Sequence, residues 1–482
     1  MNNTKRKTTN SMNNIQLHCN ILDKLDKTFY SKLQVTPLKN PKIVSINTLF
    51  TKQLEFTKKN IDSNEFLKFL NGEYQVKGSI PYSKAYSGHQ FGYFVPNLGD
   101  GRAINLGKTK KFHLQLKGAG LTPYSRNGDG RAVLRSTLRE YLLSEAMYGL
   151  GIPTTRAVAM ITSDTKVLRE YESEQGAIVL RASTSWIRFG NFEYAYLGEN
   201  KKKNLSQLAN FVIEESYPNL KTLSNKYEEL YFAIVDRTLE MIALWQSVGF
   251  MHGVMNTDNM SIEGLTIDYG PYAMMEEFDK EFICNLSDHE GRYSFENQPF
   301  IAQWNLTVLA KVLSPIADEK LMNSYCDTFI GRFKKRYFEI MKSKLGLYNQ
   351  SINDTSLILR LFGAMQSESI DYTSFFWNIS CGDFSLIDTH QMKAWLELYE
   401  KRLEKEKVSK VERLAKMKTI NPKYILRNYI LQEAIEQAEN GDYTLVNDLL
   451  KIAHNPYDEH KKFEHYTQVN KEFQSLKCSC SS

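Results

Sequence analysis

The chain has 482 residues, of which 42% are hydrophobic and 24% are charged, and its formal net charge is +6 at pH 7. This composition is that of an ordinary globular protein, and the length allows two or three domains. No run of about 18 apolar residues occurs, so the sequence predicts no membrane-spanning helix. The mild positive charge is not gathered on a basic face with interleaved aromatic residues, so we do not expect nucleic-acid binding.

The amino-terminal segment, from Met1 to about Asn14, is basic and rich in Asn and Thr. It has no apolar stretch, unlike a secretory signal, and it is rich in Lys rather than Arg, unlike a mitochondrial transit peptide. The six cysteines show neither the spacing of a zinc site nor that of a disulfide scaffold, which suits a reducing compartment. We therefore expect a cytoplasmic protein, with a mitochondrial location as the less favoured alternative.

The hydrophobic pattern changes along the chain. Residues 15–80 alternate short helical and extended pieces, and residues from about 81 to 196 are rich in glycine and in short β-like runs. One amphipathic helix interrupts these runs, from about Arg131 to Tyr148. Beyond about Leu205 the pattern is helical, with a long core helix around Tyr231 to Trp245. Residues 401–418 predict an exposed, charged helix, and Asn421 begins another helical stretch.

This order of elements predicts an α+β fold that resembles a two-lobed protein kinase, with a β-rich amino-terminal lobe, one key helix and a helical carboxy-terminal lobe. We divide the chain into an extension over residues 1–80, an amino-terminal lobe over 81–204, a carboxy-terminal lobe over 205–395 and a helical region over 396–482. The last region ends in a cysteine-containing tail.

A glycine-rich turn, LGDGRA over residues 98–103, is the first candidate for nucleotide binding. Asp100 and Gly101 form a dipeptide typical of hairpin turns. Gly99 and Gly101 would let backbone N–H groups approach phosphate oxygens, and Arg102 would add a cation beside them. A plain hairpin is the alternative.

A strand is predicted over residues 112–117, with apolar side chains on one face and polar ones on the other. Lys117 ends this strand on the polar face, where an ammonium group could reach phosphates. In kinases such a lysine pairs with a glutamate on the next helix. Glu140 is the first candidate for that glutamate and Glu145 the second. An exposed lysine at a strand end is the alternative.

Two further segments could bind an anion. In NGDGR over residues 127–131, Asp129 suits the cap of the following helix, whose first backbone N–H groups, near Gly130, can hold an anion. Arg181 and Arg188 then follow among apolar residues, and paired arginines in such surroundings commonly bind a carboxylate or a phosphate. An Arg–Glu pair that holds two segments together is the alternative.

The most informative stretch is HGVMNTDNMSIEGLTIDYG, over residues 252–270. It predicts a helix end, a polar loop and a short hairpin that turns near Gly264. Because a hairpin places its ends side by side, Asp258 and Asn259 should lie near Asp268. Two carboxylates and an amide oxygen suit a hard divalent cation, which usually implies a nucleotide phosphate as a further ligand. A loop whose Asn and Asp residues cap turns is the alternative.

These parts follow one another in the order known from protein kinases, with one departure. Kinases place the base Asp directly after a His-Arg pair and the metal-binding Asn five residues later. Here Gly253 and Val254 follow His252, and Asp258 is adjacent to Asn259. The sequence therefore does not predict a standard protein kinase.

Long motifs of the chain closely resemble the selenoprotein O family, also called SelO or YdiU. The resemblance covers nearly the whole chain beyond about residue 35. The segments that carry it are YSGHQFG over residues 86–92, LGDGRA over 98–103, QLKGAG over 115–120, TPYSR over 122–126, GDGRA over 128–132, HGVMNTDNM over 252–260, SDHEGRYS over 287–294 and NPKYILRN over 421–428.

The resemblance implies a pseudokinase fold that binds ATP in a flipped orientation and transfers AMP to Ser, Thr or Tyr hydroxyls of proteins. It implies that the nucleotide is bound by Gly99, Gly101, Arg102, Lys117, Asp129, Gly130, Arg181, Arg188 and Asp268. Asn259 and Asp268 would hold Mg²⁺ or Mn²⁺, Asp258 would accept a proton, and Glu140 would orient Lys117. The implied partners are ATP and protein substrates, redox proteins among them.

Two other functions stay open. A phosphotransferase could use the same parts with ATP in the usual orientation, and a catalytically silent scaffold could bind ATP alone. The presence of Asp258, Asn259 and Asp268 disfavours the scaffold, since a scaffold needs neither a metal nor a base.

The carboxy-terminal tail suggests a redox link. Family members that contain selenocysteine carry it near the carboxy terminus, where this chain has Cys478 and Cys480. We expect one of these cysteines to form a disulfide with Cys284, and a tail with free thiols is the alternative.

Overall fold

The computed structural model describes residues 11–169 and 172–469, and its secondary structure mixes helices and strands. The chain divides into two compact units. The first, called here the sheet unit, contains the described residues up to Ser87 together with Val95–Tyr141 and Thr155–Trp186. The second, called the helical unit, contains Gly88–Phe94, Leu142–Thr154 and the described residues from Ile187 onward. The predicted α+β class is confirmed.

The strands of the described residues form one antiparallel sheet and a separate two-stranded pair. The sheet contains β1 (Tyr30–Lys32), β2 (Lys42–Ile46), β3 (Tyr82–Gln90), β4 (Tyr93–Gly99), β5 (Ala103–Lys108), β6 (His113–Lys117), β7 (Ala132–Val133), β8 (Arg156–Arg169) and β9 (Glu172–Ser183). Its order is β1-β3-β5-β6-β9-β8-β2, with β4 paired to β3 and β7 paired to β9. The strand predicted over residues 112–117 is β6, between β5 and β9.

The alternation of β6 determines which side chains enter the core of the sheet unit. Leu114 and Leu116 are fully buried in the main hydrophobic cluster of this unit, whereas Gln115 and Lys117 lie on the other face. This result confirms the predicted alternation. Short helices contribute further apolar side chains to the same cluster, including Phe50 and Phe66. They are α2 (Thr48–Gln53), α3 (Lys58–Ile61) and α4 (Asn64–Leu70), which follow α1 (Asn20–Lys24) along the chain.

The amphipathic helix predicted from about Arg131 exists, but it begins later. Helix α5 spans Leu134–Gly149. The two residues before it form β7, in which Ala132 and Val133 pair with Ala177 and Gly176 of β9. A strand pairing that is remote in sequence thus replaces the first turn of the predicted helix.

The helical unit is built around one long helix, α8, as the core pattern from Tyr231 to Trp245 predicts. Both of these residues are fully buried, and the Tyr231 hydroxyl donates a hydrogen bond to the Leu306 carbonyl (3.1 Å). Helix α8 packs against α9, α10 and α11. The first helices of the unit are α6 (Phe189–Ala195), α7 (Lys201–Ser216), α8 (Lys226–Ser247), α9 (Gln298–Leu313), α10 (Glu319–Asp327) and α11 (Phe329–Lys344). The small pair of strands is β10 (Phe250–Met251) and β11 (Ala273–Met274).

The carboxy-terminal part of the helical unit contains α12 (Asp354–Ser367), α13 (Tyr372–Cys381), α14 (His390–Leu403), α15 (Lys410–Lys418), α16 (Asn428–Glu439) and α17 (Thr444–His454). The single exposed helix predicted over residues 401–418 is wrong. Helix α14 ends at Leu403, and Ser409 caps a new helix through a bond from the Glu412 N–H (3.2 Å). Arg402 is buried against Asp354 (2.6 Å), which fixes the end of α14.

The stretch from Asn421 is helical only from Asn428, and a turn at Gly441 separates α16 from α17. None of the helices in the described part of the chain combines the length and the apolar composition that a membrane crossing requires.

Candidate functional site

Lys117 and Arg181 share one carboxylate in the sheet unit. Lys117 Nζ lies 2.6 Å from Glu140 Oε2, and Arg181 Nη1 donates to Glu140 Oε1. Arg181 Nη2 also donates to Gln115 Oε1, and its guanidinium lies 4.6 Å from the centroid of the Trp186 ring. The three charged side chains are almost fully buried and together carry one positive charge. Such a cluster favours an anion beside it.

The two glutamates proposed as partners of Lys117 have separate contacts. Glu140 pairs with Lys117, whereas Glu145, on the same helix, lies 2.8 Å from His454 Nε2 within the helical unit. The contacts thus favour Glu140 as the residue that orients Lys117. They also agree with the alternative for Arg181, an arginine held by a glutamate.

The glycine-rich turn with Gly99, Gly101 and Arg102 is anchored by the buried Asp100. The Asp100 carboxylate accepts from the Lys84 N–H (3.0 Å) and pairs with Lys84 Nζ (3.0 Å). The hairpin that the Asp100–Gly101 dipeptide favours does not form, because β4 and β5 both pair with β3. Gly99 has a φ of +142°, and a Cβ there would lie 2.4 Å from the Tyr124 ring. Local packing thus already requires this glycine.

Asp129 does not cap helix α5. Its Oδ1 accepts from the Arg131 N–H (2.9 Å), and its carboxylate forms an ion pair with Arg169 (2.8 Å) at the end of β8. The hydrogen bond from Arg169 lowers the pKa of Asp129. The Gly130 carbonyl accepts from the Gly120 N–H (3.1 Å). The helix-cap prediction for Asp129 is therefore wrong, because the chain continues into β7 before α5 begins.

Arg188 links the two ends of the candidate metal loop in the helical unit. Arg188 Nη1 donates to the backbone carbonyl of Asp258 (2.8 Å) and to Asp268 Oδ2 (2.6 Å). Asp258 and Asn259 lie in a 3-10 turn that spans Thr257–Asn259. These contacts agree with the predicted proximity of Asp258 and Asp268, although an arginine makes the connection.

The hairpin expected at Gly264 has a different structure. A turn is present, in which the Gly264 N–H donates to the Ser261 carbonyl (3.2 Å). The flanking residues, however, pair with other segments, since Ser261 bridges to Arg188 and Thr266 bridges to Thr154. The hairpin prediction is therefore wrong, because tertiary partners replace the pairing across the turn.

The two oxygens of the Asp258 carboxylate differ in their hydrogen bonding. Oδ2 accepts a hydrogen bond from Gln90 Nε2 (3.3 Å), while Oδ1 is buried and has no hydrogen-bond partner among the described residues. Burial raises the pKa of Asp258 to about 6, and the nearby Arg188 charge opposes that rise. A buried carboxylate oxygen without a donor is suited to accept a proton or to contact a cation.

A divalent cation at Asn259 and Asp268 would need ligands from outside the protein. The described residues contain no group of three or more His, Cys, Asp and Glu side chains that could hold a metal. Asn259 Nδ2 donates to the Val254 carbonyl (2.9 Å), so this amide is oriented by its own loop. One carboxylate and one amide oxygen fit Mg²⁺, which takes its remaining ligands from water and phosphate.

His252 and Gln90 are two residues whose positions were not anticipated from the sequence. His252 is buried, its Nε2 lies 3.0 Å from the Ile267 carbonyl, and its ring stacks on Trp245 at 5.4 Å. Burial lowers the pKa of His252. The sequence signal for Gln90 is its place in the YSGHQFG motif.

The proposed disulfide of Cys284 concerns residues outside the described ranges, because Cys478 and Cys480 lie beyond residue 469. Cys284 itself is buried, with its Sγ 3.0 Å from the Pro271 carbonyl. The disulfide stays a prediction.

The chain matches a family of known proteins over most of its length. The model of the family described as "Protein adenylyltransferase SelO" matches residues 13–454. A Vibrio atlanticus protein named protein nucleotidyltransferase YdiU is 44% identical over 472 residues, which cover 95% of this chain and 97% of that protein. A protein of the same name from Vibrio cholerae is 42% identical over 478 residues, covering 95% and 97%. One from Myxococcus xanthus is 41% identical over 482 residues, covering 96% and 98%.

Proposed function

Because the chain belongs to the SelO family of protein adenylyltransferases and is a nucleotidyltransferase, we propose that it transfers AMP from ATP to Ser, Thr or Tyr hydroxyls of proteins. The observation that supports this reaction best is the buried Glu140 shared by Lys117 and Arg181. A cationic group of this kind suits a polyphosphate, and the charge that leaves with pyrophosphate needs such stabilisation.

The candidates for nucleotide contacts are given for each unit by itself. In the sheet unit, Lys117 and Arg181 bind phosphate oxygens, and backbone N–H groups near Gly99, Gly101, Asp129 and Gly130 complete the binding, with Arg102 as a further cation. In the helical unit, the candidates are Arg188 and Asp268. Glu140 orients Lys117 through their ion pair (2.6 Å).

Asp258 is the proposed proton acceptor. The acceptor hydroxyl transfers its proton to Asp258 Oδ1 while its oxygen forms a bond to the α-phosphorus of ATP. The bond between the α-phosphorus and its bridging oxygen breaks, and the electron pair leaves with pyrophosphate. Asn259 and Asp268 would hold Mg²⁺ or Mn²⁺, which would neutralise phosphate charge when bound.

We further propose a protein-kinase-like architecture with the amino-terminal lobe over residues 81–204 and the carboxy-terminal lobe over 205–395, between an extension over 1–80 and a helical region over 396–482. The proposed partners are ATP and hydroxyl-bearing proteins, redox proteins among them, and the proposed compartment is the cytoplasm. The family description supports ATP as the nucleotide substrate.

Mass spectrometry tests this proposal. The purified protein is incubated with ATP, Mg²⁺ or Mn²⁺ and a generic protein acceptor, and Asp268→Ala is compared with the surface control Asp388→Ala, whose side chain is 90% exposed. Transfer of AMP adds about 329 Da to the acceptor with the wild type and the control but not with Asp268→Ala. A gain of about 80 Da would mean phosphate transfer. No gain with ATP still bound would support the scaffold.

A further inference from the structure

The motif YSGHQFG, over residues 86–92, has no part in the function proposed above. From Gly88 onward the motif belongs to the helical unit, where it ends β3 and turns towards β4. Three hydrogen bonds attach this turn to the segment that carries Asp258: the His89 N–H donates to Thr257 Oγ1 (2.7 Å), the Phe91 N–H to Asn256 Oδ1 (3.1 Å) and Gln90 Nε2 to Asp258 Oδ2 (3.3 Å).

Successive side chains of the motif face opposite sides of strand β3. Residues 88 and 90 of a strand face the same side, and residue 89 faces the opposite one. His89 Nδ1 lies 2.6 Å from the buried Glu193 Oε2, and its ring lies edge-on to Trp304 at 5.4 Å. The His89 contacts therefore fix the turn from one side, while Gly88 and Gln90 face Asp258 on the other.

Gly88 is required for space rather than for backbone freedom. Its φ lies outside the left-handed region, so its backbone would accept alanine. A Cβ at this position would nevertheless lie 2.6 Å from Asp258 Oδ1 and 2.9 Å from Asp258 Cβ. The absence of a side chain at Gly88 thus leaves room beside the Asp258 oxygen that has no hydrogen-bond partner among the described residues.

We propose that Gln90 and Gly88 are positioning residues for Asp258. Gln90 holds Oδ2 through its amide, and Gly88 leaves the space in which Oδ1 meets the acceptor hydroxyl. Oδ1 is therefore the oxygen that takes the proton when the acceptor oxygen bonds to the α-phosphorus and pyrophosphate leaves. This inference rests on the role of Asp258 in the proposed function.

The test compares Gln90→Met and Gly88→Ala with the wild type. Met has nearly the volume of Gln but no donor, and the control Tyr93→Ala alters the same turn at a side chain that is 80% exposed. AMP transfer is followed with labelled ATP, and ATP binding and thermal unfolding are measured for each variant. Both positioning variants should lower kcat by about 10- to 100-fold with an unchanged Kd for ATP, since a misplaced base loses that much. Tyr93→Ala should transfer AMP like the wild type.

A double variant distinguishes positioning from a structural role. If Gln90 acts through the Asp258 carboxylate, Gln90→Met should cost nothing further in an Asp258→Asn background. A multiplied loss in the double variant would overturn the inference, as would wild-type kcat in both Gln90→Met and Gly88→Ala. If Asp258→Asn alone kept the wild-type rate, the proposed proton acceptor would be wrong, and the inference would be overturned for that separate reason.

Discussion

The buried Arg188 and the partly exposed Asp268 form an ion pair in which Nη1 lies 2.6 Å from Oδ2. The same nitrogen donates to the Asp258 backbone carbonyl (2.8 Å), so one guanidinium holds both ends of the loop over residues 258–268. A carboxylate proposed to bind a divalent cation is thus already in contact with a positive charge. In the proposed enzyme, the arginine and the metal ion compete for Asp268 unless phosphate oxygens separate them.

This relationship predicts the effect of Arg188→Met on metal binding. Removing the guanidinium should strengthen Mn²⁺ binding in the absence of nucleotide by about ten-fold, because a like charge no longer opposes the ion at short range. AMP transfer should nevertheless fall by about 100-fold, since the proposed phosphate contact is lost. Paramagnetic resonance titration of Mn²⁺ measures the first effect. Arg336→Met, which removes an arginine paired with Glu240 instead, serves as the control.

Weaker Mn²⁺ binding by Arg188→Met would contradict the competition and would mean that Arg188 orients Asp268 for the metal. In that case the arginine would support the metal site through geometry, and a lysine at position 188 would not replace it.

Glu140 should contribute strongly to stability as well as to activity. In Glu140→Gln, Lys117 and Arg181 stay buried without the carboxylate that they share, and we expect the free energy of unfolding to fall by about 3 kcal/mol. Urea denaturation measures this change. The control is Glu412→Gln, which breaks an exposed pair with Lys416 and should leave the free energy of unfolding nearly unchanged. Equal losses of unfolding free energy in the two variants would show that the ion pairs of Glu140 do not stabilise the fold.

His252 should influence the Mg²⁺ dependence of the reaction, because its ring bonds to the Ile267 carbonyl, directly before Asp268. Asp268 has a φ of +56°. In His252→Phe the stack on Trp245 can persist, but the carbonyl loses its donor, at a cost of about 1–3 kcal/mol in stability. We expect about ten-fold slower AMP transfer and a higher Mg²⁺ concentration for half-maximal rate. His460→Phe is the control, because His460 bonds to the carbonyl of nearby Asn455. Unchanged Mg²⁺ dependence in His252→Phe would exclude this positioning role.

Lys344 gives the protein a pH-dependent stability that is unrelated to catalysis. Its side chain is buried near the Phe376 ring, and burial lowers its pKa to about 7. The unfolded chain binds the Lys344 proton more tightly than the folded protein does. The free energy of unfolding is therefore lowered most below about pH 7, and it rises as the pH increases towards about 10. Lys344→Met should therefore be more stable than the wild type at pH 6.

The difference between Lys344→Met and the wild type should shrink as the pH rises, as chemical denaturation at several pH values would measure. A difference that stays constant between pH 6 and about pH 10 would contradict the burial of a titrating amine at this position.

The sequence predicted best those features that depend on local periodicity. The alternation of β6 placed Lys117 opposite the apolar face, and the helical spacing from Tyr231 to Trp245 gave the buried side of α8. Long motifs indicated the family that the match over residues 13–454 establishes. The roles of the individual site residues stay predictions.

The sequence failed where distant segments compete with local signals. Asp100–Gly101 is a favourable hairpin dipeptide, yet β3 pairs with both flanking strands. Gly264 is a favourable turn residue, yet Ser261 bridges to Arg188 rather than across the turn. Local patterns carry no information about such partners. The prediction that Asp129 caps α5 is wrong for the same reason, because the residues directly before α5 pair with β9.

The contact between Glu145 and His454 joins residues 309 positions apart, and Gly149 of the same helix packs directly against the backbone of Ala453. A ribosome that has finished α5 must still add about two thirds of the chain before this packing can form. The helix that bears Glu140 therefore reaches its final environment only at the end of synthesis, since contacts of such separation form late. Chains that are released before His454 is added lack this contact.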